Sequence, residues 1–428
     1  MKAHIISIGN ELLIGDTINT NASWIGRFLT ERGFHVEEVR TITDDYEHII
    51  GSLHHAFEQA DLIISTGGLG PTHDDVTKKA VADMFNSEMI LNDEVLEFIR
   101  EIFRRRGLHF TRSNKDQAMV PKVCEVLFNR KGTAPGMWFE KNGSYLAVLP
   151  GVPHEMRHLM ETGVEQKIHD HFSGKQFRAT RYLRTAGVSE SSLSDELVGD
   201  LGKFIRNGNG IAYLPSPSGV TIRASTNGTS TEDAESRLKP LVDHIHARAG
   251  AYIFGEGRDL ELSEVLGQVL NRNNLTLAAA ESCTGGLLCN EITDIPGSSA
   301  YFTGGVIAYS NQVKINELGV SEKDIQTFGA VSKQVSLQMA KGVAEKFNSD
   351  IGVSTTGIAG PEGGTKEKPV GTVWMGFYID GQHFALQARF TNDRLINKER
   401  TVMVVLETLR RNLLNLGTTP YDLKPHYF

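Results

Sequence analysis

Short β-branched runs that end in glycine or hydroxyl-rich turns, each followed by a helical stretch, recur at both ends of this chain. Near the N-terminus, 4–9 reads as a buried strand. Residues 19–32 then have helical spacing, with Trp24, Ile25, Phe28 and Leu29 on one face. A second strand at 34–40, a helix at 46–59 and a third strand at 61–65 complete the pattern. Strand–helix–strand alternation calls for a parallel sheet with crossover helices. Near the C-terminus, 275–280, 304–309 and 351–355 read as strands, with helices from Leu287, over 332–347 and to about Leu416. There 370–379 and 383–390 pair as a hairpin across Asp380 and Gly381. The expected class is α/β: two α/β sandwiches joined by a small α+β segment.

Ligands of such sheets sit where strands hand over to helices, because glycine turns there present N–H groups and a helix dipole. The third strand runs into Thr66, Gly67, Gly68, Leu69 and Gly70, and 76–84 reads as the next helix. This turn is neither a dinucleotide fingerprint nor a Walker loop, since no Lys-Ser/Thr follows. It fits a phosphate-type ligand loop or a structural turn.

The densest chemistry lies between Ala280 and Lys314. Ser282 with Thr284, Ser298 with Ser299, and Tyr309 with Ser310 form three hydroxyl clusters, and Lys314 follows. Serine needs a base to take its proton, and no histidine is present in this span, so a nucleophilic site here is of the Ser/Lys type. An unperturbed lysine titrates near ~10.4, and serving as a base near neutrality means disfavouring its charged form by about 4 kcal/mol. Burial can do that, and Val306, Ile307, Ala308, Val313 and Ile315 supply an apolar setting. The bland alternative is a solvated lysine beside an ordinary Gly/Ser loop.

Composition narrows the partners. The 428 residues suit two to three domains. Fifty-two acids against 44 bases give a formal charge of -8, which argues against an electrostatic nucleic-acid binder. Cys124, Cys283 and Cys289 form neither a disulfide framework nor a zinc spacing, which fits a reducing cytoplasm. No secretory leader is evident and no apolar run approaches ~20 residues, so no membrane partner is expected.

Beyond these readings, the chain resembles a known family. AESCTGG (280–286), GSSAYFTGGVIAYSN (297–311) with Lys314, and TTGIAGPEGGTKEKPVGTVW (355–374) are similar to the C-terminal domain of CinA (competence/damage-inducible) proteins, over about 260–416. GNELLIGDTINTN (9–21), TGGLGPTHDDVT (66–77), GTAPGM (132–137) and LPGVPHEM (149–156) resemble the molybdopterin-binding-type N-terminal domain of the same family. The resemblance implies three domains, over 1–176, 177–257 and 258–428, the middle one KH-like. That segment has no GxxG loop; its nearest stretch is Asn207-Gly208-Asn209-Gly210, so it is expected to be a spacer or dimer contact rather than an RNA binder.

For the C-terminal domain the resemblance implies deamidation of nicotinamide mononucleotide to nicotinate mononucleotide and ammonia, without a cofactor. Ser299 would be the nucleophile and Lys314 its base. Tyr309 and Ser282 would orient the pair, and Thr356 would stand opposite. Arg394 would hold the substrate phosphate, with Thr284, Gly285, Gly357 and Gly360 lining the substrate. For the N-terminal domain it implies an ADP-ribose pyrophosphatase dependent on a divalent metal (Mg, Mn or Co). Gly9, Asn10, Glu11, Asn19, Asn21, Thr66, Gly67, Gly68 and Gly70 would form its nucleotide site. Pyrophosphate hydrolysis needs phosphate charge neutralised and a water oriented, and carboxylate-held hard cations do both. Asp44, Asp74 and Asp75 are the candidate ligands, although Asp75 would also serve as a helix cap. A homodimer in the cytoplasm, recycling pyridine nucleotides, is the expected setting. The alternative is a nucleotide-binding adaptor in competence or DNA damage, with one or both sites inactive; molybdenum-cofactor assembly rests on fold analogy alone.

Overall fold

The computed structural model describes residues 1–70, 76–172 and 177–427. The chain divides into two compact units. One is 1–179 with 227–236, and the other is 180–226 with 237–428.

In the first unit, β1 (Lys2–Ile8) lies between β2 (His35–Ile42) and β3 (Leu62–Thr66), all parallel. A short ribbon, β4 (Met89–Leu91) with β5 (Met119–Pro121), stands apart. The main sheet continues from β3 through β8 (Ser144–Leu149) to β7 (Gly136–Lys141) and β6 (Glu125–Leu127), giving the order 2-1-3-8-7-6. β8 is parallel to β3, and β7 and β6 turn antiparallel. The central strands are buried on both faces. Ala3 and Ile5 join one core with Leu62 and Ile64, while Ile6 and Ile8 join another with Ile63 and Val148. That is why the strands read as continuous apolar runs rather than alternating ones.

The second unit holds two sheets. β9 (Phe177–Thr185), β10 (Asn209–Ser216), β11 (Gly219–Gly228) and β12 (Ile253–Glu256) form the smaller, in the order 10-11-9-12. In the larger, β13 (Leu277–Glu281) lies between β14 (Phe302–Ile307) and β15 (Ile351–Gly357), all parallel. β16 (Thr372–Ile379), β17 (Gln382–Arg389) and β18 (Pro425–Tyr427) extend it antiparallel. The expected hairpin is there. Asp380 and Gly381 both take left-handed backbone, at φ 48° and 73°, as a two-residue turn between twisted strands requires. Buried side chains of β13 alternate between two cores, Leu277 and Ala279 on one side, Ala278 and Ala280 on the other. Among the described residues no helix is long and apolar enough to cross a membrane.

Candidate active sites

The C-terminal ends of β13, β14 and β15 converge, and each delivers functional groups. Ser282 follows β13 directly. Its N–H donates to the Thr355 carbonyl at 2.9 Å, which locks the serine to the neighbouring strand. After β14 the chain passes Tyr309 and enters the helix Asn311–Leu318, whose first turn is capped by the Ser310 hydroxyl. That helix carries Lys314, only 2% exposed.

Lys314 Nζ lies 3.1 Å from Ser282 Oγ, 2.7 Å from the Ala308 carbonyl and 3.4 Å from the Tyr309 carbonyl. It makes no ion pair among the described residues. Burial, the larger cause, holds its pKa below the ordinary lysine value, and the neighbouring Cys283 acts in the opposite direction. A neutral amine has two N–H donors and one lone pair. Two carbonyls can take the donors, leaving the lone pair for the Ser282 hydroxyl proton. The nearby thiol is not a competing nucleophile, because burial pushes Cys283 up to about 12.

Ser299 is elsewhere. It sits exposed in the 3₁₀ turn Ser298–Ala300, just before β14 begins. Tyr301, two residues on, bonds through its carbonyl to the N–H of Leu277, the first residue of β13. Ser299 therefore lies at the N-terminal edge of the sheet and Lys314 at the C-terminal edge. Six residues of strand separate the two edges, roughly 20 Å at ~3.3 Å per residue. The expectation that Ser299 is the partner of Lys314 is corrected: Ser282 is.

Two more expectations shift. The Thr356 hydroxyl, buried, donates to the Ala330 carbonyl at 2.9 Å. The residue before it, pointing to the other face of the strand, meets the site instead. Thr355 Oγ1 lies 2.7 Å from Thr284 Oγ1. Tyr309 touches Lys314 through its carbonyl, whereas its phenol is 63% exposed and accepts from Arg394 Nη2 at 3.1 Å. Arg394 opens the helix Arg394–Leu413, and its Nη1 donates to the Gly360 carbonyl at 3.0 Å. Tyr309, Arg394 and Gly360 thus form one rim. Gly357 and Gly360 leave room for this packing; a Cβ on either would come within 2.7 Å of Val373 or 2.5 Å of Val370.

Sequence reasoning missed Glu281. Fully buried, its carboxylate accepts from the N–H groups of Gly286, Leu288 and Cys289 at 2.9, 3.1 and 2.8 Å. Gly285 and Gly286 turn the chain through φ 61° and 97°, so that the helix Leu287–Thr293 starts over this charge. The carboxylate therefore fixes the loop that carries Ser282. Glu281→Ala is expected to lower unfolding free energy by about 3 kcal/mol or more, read by denaturant titration, because three inward N–H groups lose their acceptor. Asn397 was missed as well. Its amide bonds the Ala359 and Thr391 carbonyls, both at 2.9 Å, tying the Gly357–Gly360 loop to the Arg394 helix.

In the first unit a cavity of about 490 Å³ opens at the C-terminal ends of β1 and β3. Gly9, Glu11, Asn19, Asn21, Asp44, Thr66, Gly67, Gly68 and Gly70 all line it. Asn10 does not. Its N–H instead donates to Asp44 at 3.3 Å. Asn19 caps the helix Thr20–Glu31. Thr66 and Asn21 donate to the Pro150 and Gly151 carbonyls at 2.8 and 2.7 Å, fixing the opposite wall. Gly67, at φ 110°, admits no side chain, since a Cβ would sit 2.0 Å from the Ile8 carbonyl. Asp74 and Asp75 lie outside the described residues. Among the described residues no cluster of three or more His, Cys, Asp and Glu could hold a metal. What the cavity does offer a cation is oxygen: the Asp44 and Glu11 carboxylates, and the buried Asn21 Oδ1, which has no hydrogen-bond partner among the described residues. That donor chemistry fits a hard divalent cation.

Comparison with known proteins assigns the whole chain. Three family models match in succession: a probable molybdopterin binding domain over 4–170, the damage-inducible protein CinA KH domain over 180–255, and the CinA C-terminal domain over 259–413. A CinA-like protein of Chloroherpeton thalassium is 42% identical over 97% of this chain and 100% of its own. A putative competence-damage inducible protein of Clostridium botulinum is 39% identical over 96% and 100%. The solved structure of the protein CinA, with unknown function, from Thermoplasma acidophilum is 36% identical, covering 39% of this chain and 97% of that one with a TM-score of 0.36. With relatives this similar along nearly its entire length, the chain belongs to the CinA family.

Proposed function

We propose that the second unit hydrolyses the carboxamide of nicotinamide mononucleotide, with Ser282 as nucleophile and Lys314 as base. The observation that carries this is the buried, acid-free Lys314 amine 3.1 Å from Ser282 Oγ. Lys314 takes the Ser282 proton as Oγ bonds to the carboxamide carbon. The same proton passes to the departing nitrogen, and ammonia leaves an acyl-serine. Water then gives a proton to Lys314 and attacks the ester, releasing nicotinate mononucleotide and restoring Ser282. The N–H groups of Thr284 and Gly285, which have no hydrogen-bond acceptor among the described residues, are the donors this loop offers to the developing oxyanion. Arg394, on the rim with Tyr309, suits the substrate phosphate. The test is ammonia release from nicotinamide mononucleotide by purified protein, with and without chelator. Turnover that persists with chelator supports a serine–lysine site, and no turnover from folded protein removes this reading.

The first unit, in the same proposal, hydrolyses the pyrophosphate of ADP-ribose. A divalent cation there would neutralise phosphate charge, held by Asp44 and Glu11, while the Gly67–Gly70 turn cradles the phosphates. Asp44→Asn is expected to cut metal-dependent release of AMP from ADP-ribose by roughly 100-fold. Ammonia release should be untouched, since that site lies in the other unit.

A further inference from the structure

A second cavity in the C-terminal unit, of about 400 Å³, shares no lining residue with the Ser282 site. Its walls come from 188–190, 215–216, 219–220, 388–390, Arg400, Tyr421 and Leu423. Two guanidinium groups face it, Arg389 at the end of β17 and Arg400 on the helix Arg394–Leu413. Neither has a side-chain hydrogen bond or ion pair to any described residue. Further along that helix the pattern is the opposite: Arg410 and Arg411 are both paired to the buried Glu407, at 2.8 and 2.6 Å. The one carboxylate in the lining, Glu190, pairs with neither Arg389 nor Arg400.

The remaining wall mixes the aromatic Phe390 and Tyr421 and several aliphatic side chains with the hydroxyls of Ser189 and Ser216. Tyr421 is held there against its own backbone preference. It lies at φ 52° and ψ 27°, and Asp422 follows at φ 53°. Left-handed backbone is costly for an aromatic residue and persists where the surroundings impose it. They do so here. The Tyr421 N–H donates to the Gly187 carbonyl at 2.7 Å, and Gly187 itself must lack a side chain, because a Cβ would meet Pro420 at 2.8 Å.

We propose that this cavity is a binding site for a nucleoside monophosphate, separate from both hydrolytic sites. Guanidinium forks match phosphate oxygens. Flat aromatic walls suit a base, and the Glu190 carboxylate can accept from ribose hydroxyls. The volume falls in the range of small-ligand pockets.

Hydrogen exchange of the full chain, with adenosine monophosphate as probe, tests this. In the wild type the probe should slow exchange in 187–190, 215–220 and 420–423. In Arg389→Gln/Arg400→Gln that protection should need at least 10-fold more probe. If the double variant fails to fold, Arg389→Gln alone, at an exposed position, should shift the half-point at least threefold. The proposal is overturned if the wild type shows no slowing in these segments or if the variants match it. It is also overturned if inorganic phosphate protects them as well as the nucleotide does, for then the aromatic wall has no part in binding.

Discussion

Ser282→Ala is expected to reduce ammonia release from nicotinamide mononucleotide by roughly 10⁴-fold or more, the scale of losing a covalent nucleophile. Ser299→Ala is expected to keep activity within about twofold of wild type, because surface substitutions away from a site change little. The two variants separate cleanly. Among the described residues Ser282 is the side-chain hydrogen-bond partner of Lys314 Nζ, whereas Ser299 stands exposed at the other edge of the sheet. Neither exchange should unfold the protein. Ser282 is anchored by its backbone N–H, which alanine retains. Purified variants with wild-type circular dichroism, assayed for ammonia and for acyl-enzyme by mass spectrometry, give the answer. A dead Ser299→Ala beside an active Ser282→Ala would reverse the assignment and require the two sheet edges to exchange roles.

That contrast shows how much of the site the sequence carried. The residue types were legible, since a hydroxyl-rich span with one lysine and no histidine leaves little but Ser/Lys chemistry. The fold was legible for a related reason: strands buried on both faces leave long β-branched runs, and left-handed turns such as Asp380-Gly381 leave their own residues. Choosing between two serines needed strand direction. In a parallel sheet, groups that follow strands share an edge, and groups that precede them share the opposite edge. Ser282 follows β13 and Ser299 precedes β14, so the signal was present in the strand boundaries themselves. Other features left no such trace. Glu281 reads as one more polar residue in a motif, and only the folded loop buries its carboxylate under three N–H groups. Likewise, Thr355 and Thr356 are adjacent and chemically identical, and only the pleat decides which hydroxyl meets Thr284. In the first unit the glycine loop now lining the cavity was legible from local patterning, because turn residues and strand ends are local features, whereas Asp44 came with the role the family resemblance implied.

Lys314→Met should lower ammonia release by about 10³–10⁴-fold, the range of a positioned general base combined with loss of the serine's activation. Lys314→Arg should lose as much, because a guanidinium with a pKa above ~12 cannot accept the proton at any working pH. In the wild type, kcat/KM should rise with pH along a limb set by Lys314 and level off below the ordinary lysine value of ~10.4, since burial depresses this amine. The same shift has a stability consequence with a definite sign. Between the depressed folded pKa and ~10.4, the unfolded chain binds a proton that the folded chain does not, so stability rises with pH through that window. Below the window both states are protonated, and the cost of burying the charge is fully present; above it, the cost is gone. Methionine cannot titrate, so denaturant midpoints of Lys314→Met should lack this rise, which for one proton approaches about 1.4 kcal/mol per pH unit. A variant that kept both the activity limb and the stability slope would show that another group titrates, and would leave Lys314 as packing. Loss of both together would identify one buried amine as the source of the chemistry and of its thermodynamic cost.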